Sequence, residues 1–160
     1  MTGDSPVRHP GSEETPMPLH PADPGFAEAY GRAWSSDPEA LLQFFAPAGI
    51  YRDIALDGTY HGREGVGRFH RFMLAFAPDS VIEFGDTWAA DGRLTSHWIW
   101  SGTAGGPLKL RSGKLVDLKG KEFSVPGIAA CAYDSDGLVT LHEDFWDLAT
   151  VLDRAGIPVG

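Results

Sequence analysis

Cysteine, long apolar runs and clustered basic residues are all scarce in this sequence of 160 residues. Its one cysteine, Cys131, cannot form an internal disulfide or a zinc site built from several thiols, and we expect it to be buried. No apolar run approaches the length of a membrane span or a signal core, so we expect a cytoplasmic protein. The net charge of −9 argues against a nucleic acid or membrane partner.

The residues that are present indicate one globular domain after a polar tail. Apolar residues make up 42% and aromatic residues 11% of the chain, enough to bury a core. Residues 1–24 contain six of the twelve prolines and show no hydrophobic period. We therefore predict a flexible tail over residues 1–24 and a folded domain over residues 25–160.

The first half of the domain shows the spacing of amphipathic helices. Phe26, Tyr30 and Trp34 recur every four residues and predict one stripe of a helix. Asp37 is the predicted cap of a second helix, because the proline after it suits a first helical position. The predicted elements are a helix from Phe26, a helix from Pro38, a strand over residues 49–56 and a helix over residues 63–76.

After Ser80 the period changes to that of β-strands. Asp91-Gly92 predicts a tight hairpin between two strands, and the turn DSDG predicts a second hairpin before the last strand. The polar stretch 103–121 has room for one short strand. Asp147 is the predicted cap of a short terminal helix over residues 148–155. Helices followed by a long antiparallel meander predict an α+β fold, with a curved sheet around the helices and a cavity at its open end.

Alternation along the last strand divides its residues between two faces. Thr140, His142, Asp144 and Trp146 share one face, and Val139, Leu141, Glu143 and Phe145 share the other. One interpretation is that the aliphatic face is core and the polar face is solvated. Trp146 beside Asp144 favours the other interpretation, in which the polar face borders a dry cavity.

The candidate catalytic residues are ionisable groups that such a cavity would bring together. A carboxylate in a low-dielectric cavity exchanges protons near neutral pH, and a histidine can hold the complementary proton. We predict that Asp144 faces His97 or His142, although His97 also fits a core position. Tyr51 and Asp53 share one face of the first strand and would add a hydroxyl and a second carboxylate from the opposite wall. The predicted substrate-binding walls are Trp98, Trp100, Trp146, His142 and Phe69.

Several sequence pieces also resemble a known family. The strand YRD, the segment YHGREGV that opens the third helix, and the terminal DGLVTLHEDFWDLATVLDRAG are similar to those of the SnoaL-like polyketide cyclases. These cyclases belong to the nuclear transport factor 2-like superfamily, with limonene-epoxide hydrolases and scytalone-type dehydratases. The resemblance covers residues 25–157. It implies a cone-shaped mixed or antiparallel sheet around three N-terminal helices, a short C-terminal helix, and a homodimer through the sheet's outer face at Val139, Leu141 and Phe145.

The resemblance carries roles to particular positions. Tyr51 and Asp53 match the Tyr-x-Asn that positions water in the epoxide hydrolases, with Asp in place of Asn. Asp144 matches the terminal-strand aspartate that acts as base. His97 stands where those hydrolases keep an arginine, and Ile99 where they keep a second aspartate, so half of their triad is missing.

These observations predict a cofactor-independent acid–base enzyme of the cyclase or isomerase type. Its substrate would be a hydrophobic polyketide-like or terpenoid-like intermediate, with Asp144 exchanging a proton and His97 as partner. A dehydratase or epoxide hydrolase of the same fold is one alternative, and a non-catalytic binder of small molecules is another. No metal is expected, since no signature spacing of ligands is present.

Overall fold

A computed structural model describes residues 19–158 of the chain. Most of the predicted tail, residues 1–18, therefore lies outside the described residues. Residues 19–24 form turns before the first helix, where the ring of His20 packs edge-on against Tyr133 at 5.2 Å between centroids. The turn is closed by the backbone N–H of His20, which donates to Asp23 at 3.0 Å.

Four helices form where the sequence predicts them. The carboxylate of Asp37 accepts a hydrogen bond from the backbone N–H of Ala40 at 3.1 Å and caps the second helix. Asp147 caps the last helix in the same way through Thr150. The helices are α1 (Phe26–Ser36), α2 (Pro38–Phe44), α3 (Gly62–Phe76) and α4 (Leu148–Arg154).

The main sheet has six strands in the order β2-β1-β8-β7-β4-β3. Neighbouring strands are antiparallel except β1 and β8, which run parallel, so the sheet is mixed. The parallel pairing brings the first and last long strands together. The strands are β1 (Phe45–Asp53), β2 (Gly58–His61), β3 (Val81–Ala90), β4 (Arg93–Thr103), β5 (Pro107–Lys109), β6 (Leu115–Asp117), β7 (Glu122–Tyr133) and β8 (Val139–Trp146).

Two local features shape the sheet. Asp91 and Gly92 both have positive φ angles, 51° and 75°, as a type I′ hairpin between β3 and β4 requires. Gly127 leaves room for an indole, because a Cβ atom there would lie 2.2 Å from the Trp98 ring. The pairing of β3 with β4 also shifts register between Phe84 and Thr87, which marks an irregularity at Gly85 and Asp86.

The helices α1, α2 and α3 pack on the concave face of the sheet and form the main core with it. A second apolar cluster joins α4 to the hairpin of β5 and β6 through Leu152, Leu108 and Val116. Residues 103–121 thus contain two short strands where the sequence predicted one, and β2 is a further strand that the sequence did not predict. None of the helices in residues 19–158 is long and apolar enough to span a membrane.

Candidate active site

An apolar cavity lies between the concave face of the sheet and helix α3. The centres of water molecules can occupy about 40 Å³ of it, and the gaps between its lining atoms add up to about 570 Å³, part of them open to solvent. Phe72 is the one exposed side chain among the lining residues. The lining residues are Trp34, Tyr51, Asp53, Leu56, Phe69, Phe72, Met73, Phe76, Ile82, Phe84, Trp98, Trp100, Leu108, His142, Asp144 and Trp146.

The carboxylate of Asp144, on β8, is surrounded by hydrogen-bond donors. Its Oδ1 accepts from the indole N–H of Trp98 at 3.0 Å and from Nε2 of His142 at 2.7 Å. Its Oδ2 accepts from the hydroxyl of Tyr51 at 2.8 Å. The side chain of Asp144 is 14% exposed, so it still faces the cavity. Because Oδ2 accepts only one of these bonds, it has capacity left to accept a proton from a ligand.

His142 lies behind Asp144 and is 1% exposed. Its Nδ1 is 2.7 Å from the hydroxyl of Tyr30, on α1, while its Nε2 faces Asp144. When the ring is neutral, Tyr30 donates to Nδ1; when the ring is protonated, Tyr30 accepts from it. Burial would lower the pKa of His142, but the negative charge of Asp144 raises that pKa well above its usual range.

Asp53 lies next to Asp144 because the two residues are register partners in the parallel pair of β1 and β8. It is 4% exposed and accepts from the backbone N–H of Leu56 at 2.8 Å and from the indole of Trp146 at 3.2 Å. Burial raises the pKa of Asp53 to about 6, against the opposing effect of the Leu56 N–H. The two carboxylates therefore lie side by side on one wall, rather than on the opposite walls that the sequence predicted.

Tyr51 completes this wall and stacks on Phe69 of α3, with 4.2 Å between ring centroids. Burial, together with the nearby charges of Asp144 and Asp53, raises the pKa of the Tyr51 hydroxyl well above its usual value. The hydroxyl therefore keeps its proton and acts as a hydrogen-bond donor. The structure thus places Tyr51, Asp53 and Asp144 together on one wall of the cavity.

His97 does not join this group, which corrects the prediction that it faces Asp144. It is exposed on the convex face of β4, where its ring packs edge-on against Trp88 at 5.4 Å. The adjacent Trp98 points into the cavity, and strand alternation places consecutive side chains on opposite faces. His142 occupies the position beside Asp144 that His97 was expected to hold.

The predicted walls are otherwise correctly placed, since Trp98, Trp100, Trp146, His142 and Phe69 all line the cavity. One further prediction needs correction. Val139 is buried in the core rather than on the outer face, because the pairing of β7 with β8 shifts register next to it. A second buried histidine, His70, lies outside the site, with its Nε2 2.8 Å from the carbonyl oxygen of Trp34.

Sequence reasoning missed the two aromatic residues of α1 that reach the site. Tyr30 and Trp34 were recognised as a helix stripe, and both are buried. Trp34 lines the cavity, and its indole N–H has no hydrogen-bond partner among the described residues. A buried tyrosine needs a partner for its hydroxyl, and this was the one available signal that Tyr30 meets a polar group. Within residues 19–158 no cluster of three His, Cys, Asp or Glu side chains is placed to hold a metal ion.

The chain belongs to the SnoaL-like domain family, whose family model matches residues 26–142. The match ends at His142, two residues before Asp144, so membership in the family assigns no role to that carboxylate. No protein with a curated functional description matches the chain. The predicted family and fold class are therefore confirmed, and the chemistry rests on the site itself.

Solved structures share the fold. A protein from Catenulispora acidiphila with a ketosteroid isomerase-like fold, solved in complex with trimethylamine, is 24% identical over 82% of this chain and 92% of its own, with a TM-score of 0.67. A putative SnoaL-like polyketide cyclase from Jannaschia is 14% identical over 93% of this chain and 100% of its own, with a TM-score of 0.70. AclR from Streptomyces galilaeus, a putative hydroxylase, is 18% identical over 82% of this chain and 93% of its own, with a TM-score of 0.64.

Proposed function

We propose that this chain is a cofactor-independent acid–base enzyme of the cyclase or isomerase type. Its substrate is a hydrophobic intermediate of polyketide-like or terpenoid-like character. The observation that carries the proposal is the position of Asp144, a carboxylate at the wall of an aromatic cavity, with a buried histidine directly behind it. The single buried cysteine and the absence of a spanning helix in residues 19–158 support a cytoplasmic location.

The geometry supports a proton-transfer role for Asp144. Its Oδ2 accepts a proton from a C–H or O–H group of the substrate, while Trp98 and His142 hold Oδ1 and fix the direction of the carboxylate. His142 stabilises the charge of the carboxylate before transfer and replaces His97 in the predicted role of partner. When the substrate is bound, the Tyr51 hydroxyl donates to a carbonyl or hydroxyl oxygen of the substrate in place of Asp144. Asp53 orients a polar group of the substrate beside that oxygen.

The test follows proton exchange on a model ketone, since it does not require the natural substrate. We expect the protein to accelerate solvent deuterium exchange at the α-carbon of 2-tetralone, measured by NMR. Asp144→Asn should reduce this acceleration by about 10²–10⁴-fold, the usual contribution of a positioned base. Glu143→Gln is the matched control, because Glu143 neighbours Asp144 in sequence but pairs with Arg52 at 2.9 Å on the outer face. Its rate should equal that of the wild type.

Equal exchange rates in the wild type and Asp144→Asn would overturn the mechanism. If 2-tetralone binds the wild type without any faster exchange, the chain is a binding protein instead. Dehydration or epoxide hydrolysis would be recognised by loss or gain of water in the product of a natural substrate.

We also propose that the chain forms a homodimer through the convex face of the sheet. Large apolar side chains are exposed there, among them Trp88, Ile99, Ile128 and Phe145, and a groove containing the last three crosses the face. A second copy of the chain packed on this face would remove these apolar side chains from water, which favours association. We expect sedimentation at dimer mass for the wild type and at monomer mass for Ile128→Asp; a monomeric wild type would contradict this proposal.

A further inference from the structure

Asp53 is a buried carboxylate without a cationic partner. Its hydrogen-bond donors, the backbone N–H of Leu56 and the indole of Trp146, are both neutral. The aligned residue on the neighbouring strand is Asp144, which is also acidic. A carboxylate that is 4% exposed normally has a positive group beside it, because burial without one is costly.

The arginines near this part of the fold point elsewhere. Arg52, next to Asp53 in the chain, is exposed and binds Glu143 on the outer face at 2.9 Å. Arg111 donates to the carbonyl oxygen of Ile54 at 3.2 Å and lies 3.6 Å from Asp57. Neither lines the cavity. The missing positive charge is therefore not supplied by these side chains.

The rest of the cavity wall also suits a positive charge. Its lining has two carboxylates and one histidine, and no lysine or arginine among the described residues. The histidine, His142, is bonded at both nitrogens and balances the charge of Asp144, so Asp53 is the carboxylate left without a cation. Aromatic faces carry negative charge density and attract cations, most strongly tryptophan. The aromatic lining residues are Trp34, Tyr51, Phe69, Phe72, Phe76, Phe84, Trp98, Trp100 and Trp146.

We infer that the cavity selects ligands whose polar end is a cationic amine, with the ammonium group held by Asp53 beside Trp146. The apolar body of such a ligand lies among the remaining rings. A ligand with a carboxylate or phosphate at the same end meets the negative charge of Asp53, which no neighbouring cation offsets, and is excluded. This inference rests on the proposed function and narrows it, because it places the amine at Asp53 and leaves Asp144 free to take a proton.

The test compares three probes of one shape: 2-naphthylmethylammonium, 2-naphthylmethanol and 2-naphthoate. Their affinities for the full chain would be measured by calorimetry at pH 7.5, where Asp53 is ionised. We expect the ammonium probe to bind at least about tenfold more tightly than the alcohol, and the carboxylate at least about tenfold more weakly. Equal affinities, or tightest binding of 2-naphthoate, would overturn the inference.

Variants locate the charge that selects the amine. In Asp53→Asn, whose amide oxygen still accepts from Leu56 and Trp146, the preference for ammonium over alcohol should fall to within about twofold. Glu143→Gln should keep the full preference. If Asp144→Asn removes the preference and Asp53→Asn does not, the assignment to Asp53 is wrong. Deuterium exchange is measured on 2-tetralone, which is neutral, and depends on Asp144. The exchange assay therefore tests the proposed function even if the preference for amines is not found.

Discussion

The two faces of the sheet carry similar residues in different environments. The concave face holds His142 and Asp144, and the convex face holds His97 and Glu143. Glu143 lies between His142 and Asp144 in the sequence, but strand alternation places its side chain on the opposite face. His142 is bonded at both ring nitrogens, whereas His97 is exposed beside Trp88. Residue type alone therefore does not identify the site. The environment decides, because only the concave face combines burial with a complete set of hydrogen-bond partners.

The largest difference between the faces should appear when each histidine is removed. We expect His142→Ala to lower the free energy of unfolding by about 3–5 kcal/mol, because Tyr30 loses the partner of its hydroxyl and Asp144 loses its histidine, keeping only the neutral donors Trp98 and Tyr51. His97→Ala should change it by no more than about 0.5 kcal/mol, as is usual for surface positions. Urea unfolding at pH 7 measures both values, and equal losses would contradict the distinction between the faces.

A second test compares the buried and exposed carboxylates across pH. Since the pKa of Asp53 is about 6 in the fold and 3.8 in the reference state, the folded protein binds more protons between these values. The contribution of Asp53 to the free energy of unfolding is therefore largest below pH 4. It falls by on the order of 3 kcal/mol as the pH rises through 6. Asp53→Asn should remove this loss.

The measurement is the free energy of unfolding of the wild type and Asp53→Asn at pH 4.5 and pH 7. The variant should gain on the wild type at the higher pH. Glu143→Gln, on the convex face, should show no such gain. If both variants follow the wild type in parallel, burial of Asp53 is not the cause of the pH dependence.

The smallest effect concerns the hydroxyl of Tyr30. Tyr30→Phe should lower the free energy of unfolding by about 1 kcal/mol, the usual effect of one lost hydrogen bond. It should also lower the pKa of His142, since the protonated ring would keep a buried Nδ1–H without an acceptor. NMR titration of the His142 ring would detect this change. Tyr60→Phe is the control, and a shift of equal size in that variant would show that Tyr30 has no special role.

Local sequence patterns predicted most of the fold. The four-residue spacing from Phe26, the capping aspartates Asp37 and Asp147, and the Asp91-Gly92 turn each specify structure through neighbouring residues. The strand β2 and the hairpin of β5 and β6 escaped prediction because they are three or four residues long and show no clear alternation. Their formation depends on packing against distant parts of the chain.

The site was predicted in part for a related reason. Asp144, Asp53 and Tyr51 follow strand alternation, and the structure places them in one cavity. The same rule argues against His97, because Trp98 follows it directly and was itself expected in the wall. The histidine that does contact Asp144 is two residues away on the same strand. Its bond to Tyr30 spans 112 residues and has no local signature.

The parallel pairing of β1 with β8 also has a kinetic consequence. Tyr51 and Asp144 are 93 residues apart, yet they share a hydrogen bond. Closing such a long loop slows folding, and helices and hairpins with local contacts form earlier. During synthesis on the ribosome, the two carboxylates come together only after the last strand has emerged. Until then the aromatic wall is exposed to the cell, so nascent chains should engage chaperones more than finished ones do.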